Sequence, residues 1–429
     1  MHNKGEKAAS MLKQTMKPIT IIGVGLSFND LTSHHLSLVQ HADILIGGLR
    51  LLDLFPEHPG EKIPVTKDIP GLIERITKDM SEKKIVVLAS GDPLFFGVGA
   101  TLIKALPPEY IEIYPNISSV AAAFARLKTG WNDASFVSMH GKKDLSALLT
   151  HMGKGNKIAV LTDPFNSPAR IAQFLMRLGI NGWDMHVFEQ LGSERERHKI
   201  YEMEEAAQAE CASPNVTILI KRNECQKPKY PHILGAPDEW YVHEKGLITK
   251  AEVRSVSLSR LRLSSGLVVW DLGAGSGSVS VEAALLCSGG VIFSVERNKN
   301  RLDMIVENTK RFGVRNLISV HADLPEGMDE LPDPDRIFIG GGGKHLNKIA
   351  DRALARLKPG GVIVINTVLL ENIEASRSLL TARGLNPKTT LVQVSRDIAM
   401  PFGSRMEALN PVWIITGIKP DEREEHNAP

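Results

Sequence analysis

The chain has 429 residues, 43% of them hydrophobic, with 51 Lys and Arg against 49 Asp and Glu and a formal net charge of +2. That length favours two or three domains with full cores, and the balanced charge excludes a nucleic-acid-coating protein or a disordered tail. Cys211, Cys225 and Cys287 are scattered without a Cys-x-x-Cys pair, residues 1–17 lack an apolar signal core, and no apolar run approaches the ~20 residues of a membrane helix, so a soluble, cytoplasmic protein with neither disulfide framework nor metal is expected.

In chain order, short apolar runs predict strands at 19–24, 43–46, 84–89, 110–113, 134–138, 157–161, 185–188 and 215–220, alternating with helical patterns. The first strand runs into a Gly-x-Gly turn within Ile21–Thr32. About 70 residues later comes Val86-Val-Leu-Ala-Ser-Gly-Asp-Pro-Leu-Phe-Phe-Gly97, a buried strand ending in Gly91-Asp92-Pro93. Glycine there permits close approach, proline fixes the turn, and aspartate is left at the carboxyl end of the strand, where α/β sheets bind ligands. Taken alone, Gly-Asp-Pro is also an ordinary turn. His34, His35 and His41 fall in a helical pattern without partner cysteines or spaced carboxylates and read as structural. Gly141-Lys-Lys-Asp144 marks the expected break between two small α/β lobes, and Asp163-Pro164 an expected helix start.

Residues 221–240 hold three prolines, four basic side chains and no periodic apolar face, so they are expected to link a domain at 18–220 to one at 241–418. Thr249 is the expected N-cap of the next helix, with Glu252 completing a capping box. Strands follow at 267–271, 291–295, 317–321, 336–340, 361–366, 389–394 and 412–416, with helices at 277–287, 299–312, 344–357 and 371–383. This alternation predicts a doubly wound parallel sheet, with the last two strands as an antiparallel edge.

Within this half, Asp271-Leu-Gly-Ala-Gly-Ser-Gly277 joins a strand to a helix. Its spacing is Gly-x-Gly-x-Gly; the dinucleotide form would place glycine at Ser278. Gly273, Ala274, Gly275, Ser276 and Gly277 therefore suit a cofactor with an amino-acid end and no phosphate, S-adenosyl-L-methionine, whose carboxylate the helix N-terminus would receive. Glu296, at the next strand end, can accept two hydrogen bonds from a ribose diol. Asp323 and Leu324, after the third strand, are expected on the adenine side. Gly340–Gly343 stands where nitrogen methyltransferases often carry Asn/Asp-Pro-Pro-Tyr/Phe, which argues against a base or amide nitrogen as acceptor and leaves room for a bulky flat substrate.

The segments Thr249–Arg254, Asp271–Gly277, Leu331–Asp335 with Phe338–Gly341, and Asn410–Val412 resemble the tetrapyrrole methyltransferase domain that acts late in corrin-ring synthesis, over about residues 240–417. The Gly-x-Gly turn, Gly91–Gly97, Pro115-Asn-Ile-Ser-Ser119 and the helix from Val120 to Leu127 resemble the class III methyltransferases of tetrapyrroles, over 19–220. The fold implied is a class III methyltransferase of two α/β lobes followed by a class I, Rossmann-like, doubly wound methyltransferase domain. The order of domains resembles the decarboxylating precorrin-6Y C5,15-methyltransferase family of cobalamin biosynthesis. That resemblance implies methylation of a precorrin at carbons 5 and 15 with loss of carbon dioxide from an acetate side chain. It also implies two S-adenosyl-L-methionine sites, the first lined by Gly91, Asp92, Pro93, Ile117 and Ser118, the second taking Thr249 as well.

Methyl transfer from a sulfonium asks for alignment and water exclusion more than for a strong acid or base, so no catalytic residue is singled out. A polycarboxylate substrate calls for cations, for which Lys250, Arg254, Lys344, Arg396 and Arg405 are the candidates. A homo-oligomer is expected, with no nucleic-acid or membrane partner. The alternatives are an RNA or protein methyltransferase, and a scaffold that binds S-adenosyl-L-methionine without catalysis.

Overall fold

The computed structural model describes residues 17–180, 182–222, 228–244, 246–340 and 343–421. Two compact units emerge: residues up to Asn132 with Val187–Lys199 and Cys211–Thr217, and Asp133–His186 with Ile200–Glu210 and the chain from Ile218 onward. Each is described by itself.

The first lobe is a five-stranded sheet of β1 (Ile19–Gly23), β2 (Ile44–Gly47), β3 (Glu61–Pro64), β4 (Ile85–Ala89) and β5 (Ile111–Tyr114), in the order β3-β2-β4-β1-β5. The pairs are parallel, so the central strands are covered on both faces and read as unbroken apolar runs. Alternate residues still separate. Ile19, Ile21, Ile44, Ile46 and Val87 pack with Leu72, Ile76 and Leu102, whereas Ile22, Val24, Leu45, Val86 and Leu88 pack with Val39, Leu51 and Leu52. The edge strand β3, Glu-Lys-Ile-Pro, carries too little apolar pattern to have been foreseen.

The second sheet contains β6 (Ser135–Ser138), β7 (Lys157–Leu161), β8 (Trp183–Glu189), β9 (Arg197–Tyr201) and β10 (Asn215–Lys221), in the order β6-β7-β10-β8-β9. Its first strand starts before Gly141, so the lobe break falls between the helix Ser119–Leu127 and Ser135 rather than at 141–144. The helix expected at Asp163-Pro164 starts at Pro168 with Ser167 as its cap. Asp163 instead accepts hydrogen bonds from the backbone amides of Gly141, Phe165 and Asn166 and closes the preceding loop.

The third sheet contains β11 (Val268–Leu272), β12 (Val291–Glu296), β13 (Leu317–His321), β14 (Arg336–Ile339), β15 (Val362–Thr367), β16 (Lys388–Val392) and β19 (Val412–Ile418), in the order β13-β12-β11-β14-β15-β19-β16. The expected antiparallel edge is present, since β19 runs against both β15 and β16. The segment between β16 and β19 forms a separate hairpin of β17 (Ser395–Met400) and β18 (Gly403–Ala408), whose Met400, Phe402 and Met406 are exposed. Strand β11 lies between β12 and β14, which makes its carboxyl end the switch point of the sheet, where a ligand crevice opens. No helix among the described residues is long and apolar enough to cross a membrane.

Candidate functional site

In the first lobe, the turns after β1, β4 and β5 converge. Gly25 and Gly91 exchange backbone hydrogen bonds across an isolated bridge. A Cβ on Gly23 would stand 2.4 Å from the carbonyl oxygen of Gly91, so the approach admits only glycine. The Asp30 carboxylate accepts hydrogen bonds from the amides of Leu26 and Ser27, which holds the first turn. Asn116 donates through Nδ2 to the carbonyls of Gly23 and Asp30, at 2.9 and 3.0 Å. Asp92 accepts from the amide of Leu94, Pro93 is buried, and Ser118 caps the helix Ser119–Leu127. Gly91, Asp92, Pro93 and Ser118 thus share one carboxyl edge, and Ile117 beside them is exposed.

Two residues here had no strong sequence signal. Asn116 is a polar residue in a loop, and its bracing role depends on strands far apart in the chain. Arg50 reaches toward the Ser90 hydroxyl at 3.5 Å, beside the Gly91 turn, and has no carboxylate partner among the described residues. His35 is buried against Tyr114 and donates its amide to Thr32, and burial lowers its pKa.

In the third sheet, β11 delivers Asp271 and then the glycine loop. Gly273, Gly275 and Gly277 all have left-handed φ, at 76°, 59° and 76°. Space beyond Gly275 is open to 4 Å from an added Cβ, whereas one at Gly277 would press on Ile305 at 2.9 Å. Glu296 ends β12 and curls back. Its two oxygens accept from the amides of Gly275 and Asn298, both at 2.9 Å. A carboxylate has about four acceptor positions, so two remain for a diol. The open left-handed cradle and the half-used Glu296 fit S-adenosyl-L-methionine. Asp323 and Leu324 follow β13, which pairs with β12 so that His321 lies opposite Glu296. Asp323 is exposed. Residues 341 and 342 of the glycine run lie outside the described residues, as does the Lys344 side chain.

Asp271 is buried and accepts from the Ser280 hydroxyl, which also bonds Ser294 at 2.6 Å, while Oδ1 has no partner. Burial, aided by the nearby Glu296 charge, pushes its pKa up to about 7. The folded state therefore keeps this proton where the unfolded chain has lost it, above pH ~4. The contribution to stability is full below pH ~4 and declines as pH rises toward about 7. Denaturant unfolding of Asp271→Asn between pH 5 and 7 should lack this decline, which is up to about 1.4 kcal/mol per pH unit for one proton. Parallel pH profiles for the two proteins would refute it.

The cationic candidates are mostly engaged. Arg254 is fully buried. It donates to Glu282 at 2.6 Å, to Asp238 at 3.3 Å and to the carbonyls of Thr249 and Ala236, and it lies over the Tyr241 ring. It cannot meet a substrate carboxylate, which corrects the expectation. Glu282 also accepts from the amides of Gly235 and Ala236 and from the Tyr241 hydroxyl, so burial and this carboxylate raise the pKa of Tyr241. Arg396 spans Glu252 and Asp238, fastening β17 to the helix Ala251–Leu261. The capping box at Thr249 does not form. Lys250 is the N-cap, Asp238 accepts from the Ala251 amide in its place, and Glu252 is spent on Arg396. Thr249 supplies a carbonyl to Arg254. Among the described residues Lys250 bonds the Gly246 carbonyl, at 3.1 Å, and Arg405 pairs with Glu407 on the exposed hairpin.

Asn366 was not singled out in the sequence. It is buried one residue past the β14–β15 pair Ile339 and Ile365, donates to Ser257 at 2.8 Å, and leaves Oδ1 without a partner among the described residues. The Leu331–Asp335 segment is architectural: Pro332 accepts from Trp270, and Asp335 accepts from the Val268 amide at the start of β11.

Residues 18–207 match the family of tetrapyrrole (corrin/porphyrin) methylases, and residues 239–418 match the precorrin methyltransferase domain. A precorrin-6Y C(5,15)-methyltransferase (decarboxylating) from Sinorhizobium is 32% identical over 367 residues, covering 82% of this chain and 84% of the relative. A probable cobalt-precorrin-6B C(15)-methyltransferase (decarboxylating) from Pyrobaculum calidifontis is 42% identical over 185 residues, covering 42% of this chain and 94% of the relative. Among solved structures, a precorrin-6Y C5,15-methyltransferase from Geobacter metallireducens is 46% identical with a TM-score of 0.43, covering 44% of this chain and all of the other.

Proposed function

The chain belongs to the family of decarboxylating precorrin-6Y C5,15-methyltransferases, and we propose that it methylates a precorrin at carbons 5 and 15 and removes one acetate carboxyl, within cobalamin biosynthesis. The observation that carries this reading is a pair of unrelated strand-end turns in one chain, the first with a backbone approach that only glycine admits at Gly23, the second with three left-handed glycines. We assign carbon 5 to the site at Gly91-Asp92-Pro93, Ile117 and Ser118. Carbon 15 and the decarboxylation belong to the site at Gly273–Gly277 and Glu296, since the Pyrobaculum relative named for that step matches 185 residues of this chain, about the length of the precorrin methyltransferase domain at 239–418.

S-adenosyl-L-methionine, when bound, supplies a methyl group already activated on sulfur. The chain's part is to hold and orient. The amides opening the helix Ser278–Leu286 would receive the amino-acid carboxylate, and Glu296 would hold the ribose diol. Asp323 and Leu324 border the adenine. In the first lobe, the Gly91 turn leaves the carboxyl edge of β4 open for the second cofactor. Arg50 and Lys250 have no acid beside them among the described residues, so they serve the substrate carboxylates, and Asn366 offers an amide oxygen without a described partner. The exposed Met400, Phe402 and Met406 of the β17–β18 hairpin support a homo-oligomer. The reaction belongs in the cytoplasm.

Incubation of the full chain with methyl-labelled S-adenosyl-L-methionine and the precorrin substrate should add two methyl groups and remove one carboxyl, read by mass spectrometry of the product. One methyl group and an unchanged carboxyl count would overturn the assignment.

A further inference from the structure

A cavity of about 410 Å³ lies in the second unit, along the outer side of β13, the edge strand of the seven-stranded sheet. Its walls include Met152 and Asn156 before β7, the amino end of β8 with the loop before it, the carboxyl end of β10, Pro228, and the chain from Val306 to Ser319. None of the residues assigned to either cofactor site lines it. Its size is in the range that takes a nucleotide-sized or smaller molecule.

The lining is one-signed. Lys221, Arg222, Lys310 and Arg315 contribute to it, and among the described residues no carboxylate does. Arg222 is neutralised from behind by Asp184 and Glu202. Lys221 differs. Among the described residues its ammonium group reaches the Arg315 carbonyl, at 3.4 Å, and the Trp183 ring, at 5.9 Å. Burial, and then the Arg315 charge, lowers its pKa. A half-buried ammonium beside other cations, with a single weak acceptor among the described residues, is destabilised, and an anion would offset that. Gly179, Gly182 and Gly313 line the same space, so backbone rather than side chains borders part of it.

We infer that this cavity binds a small polyanion, of phosphate or carboxylate chemistry, seated on Lys221 and bridging the β7–β10 lobe to the edge of the methyltransferase sheet. Bound there, it ties the two elements together away from both reacting centres. Affinity falls as pH rises, because Lys221 then loses its charge.

Calorimetric titration of the full chain with pyrophosphate and, separately, with citrate distinguishes the two sources. Single-site binding is expected for at least one of them at about 1 mM or below, weakened about tenfold or more in Lys221→Met and kept in Lys221→Arg. Stronger pyrophosphate binding identifies a phosphate ligand, stronger citrate binding a carboxylate. S-adenosyl-L-methionine binding should be unchanged in both variants, which also shows that they are folded. No saturable binding of either probe, or equal binding by Lys221→Met, overturns the proposal. Neither result bears on the two methyl transfers.

Discussion

Arg254→Met should destabilise the C-terminal half by roughly 3–5 kcal/mol, because it strands a buried carboxylate. Glu282 is only 1% exposed and loses its one cationic partner, while the Gly235, Ala236 and Tyr241 donors remain. The helix Ala251–Leu261 would also lose the guanidinium that ties it to the Ala236 and Thr249 carbonyls. The check is chemical denaturation of Arg254→Met, Glu282→Leu and the double variant. The double variant should recover part of the loss, since it removes both buried charges together. A substrate-binding arginine would behave differently. Its removal would raise KM for the precorrin and leave the denaturation midpoint alone. That second outcome would restore the role expected for Arg254 from the sequence.

Arg254 shows where reading a sequence stops. Its residue type and its place in the Thr249–Arg254 segment marked it as a cation, and both facts are true. What decides its role is the company it keeps: Asp238 is 16 residues upstream and Glu282 is 28 downstream. No local pattern reports such distances. The glycine loop was legible for the opposite reason. Strand, turn and helix start are contiguous, and the left-handed φ at three positions is a local demand that only glycine meets cheaply. The strands of the parallel sheets were legible because burial on both faces makes them unbroken apolar runs. Strands β3 and β9 were not, since they lie at edges and are mostly solvated. The hairpin of β17 and β18 escaped for the same reason, as its exposed strands carry no alternating core face. Thr249 failed as a cap because Asp238, distant in sequence, competes for the Ala251 amide. Asn116 and Asn366 were invisible because an amide side chain announces neither its partners nor their absence.

Glu296→Ala should remove the second cofactor site while sparing the first. The carboxylate has two duties. It holds the loop by accepting from Gly275 and Asn298, and on the proposed reading its remaining acceptor positions take the ribose diol. Charge-assisted hydrogen bonds contribute about 1.5–3 kcal/mol each. Losing the pair to the diol should therefore weaken S-adenosyl-L-methionine by roughly 3 kcal/mol or more, on the order of 10²-fold. The freed loop amides add to that, because Gly275 can then leave the conformation that keeps its cradle open. Calorimetry should show two sites per chain in the parent and one tight site in Glu296→Ala. The product of the variant should carry the carbon 5 methyl group and all its carboxyls. A variant that still methylates both carbons would mean that Glu296 only braces the loop. A variant that loses both would mean that the two halves do not act as separable sites. Glu296→Gln separates the duties, since its single amide oxygen can replace one of the two backbone contacts but cannot accept both diol hydroxyls. Its affinity should fall between those of the parent and the alanine variant, with the unfolding midpoint close to that of the parent.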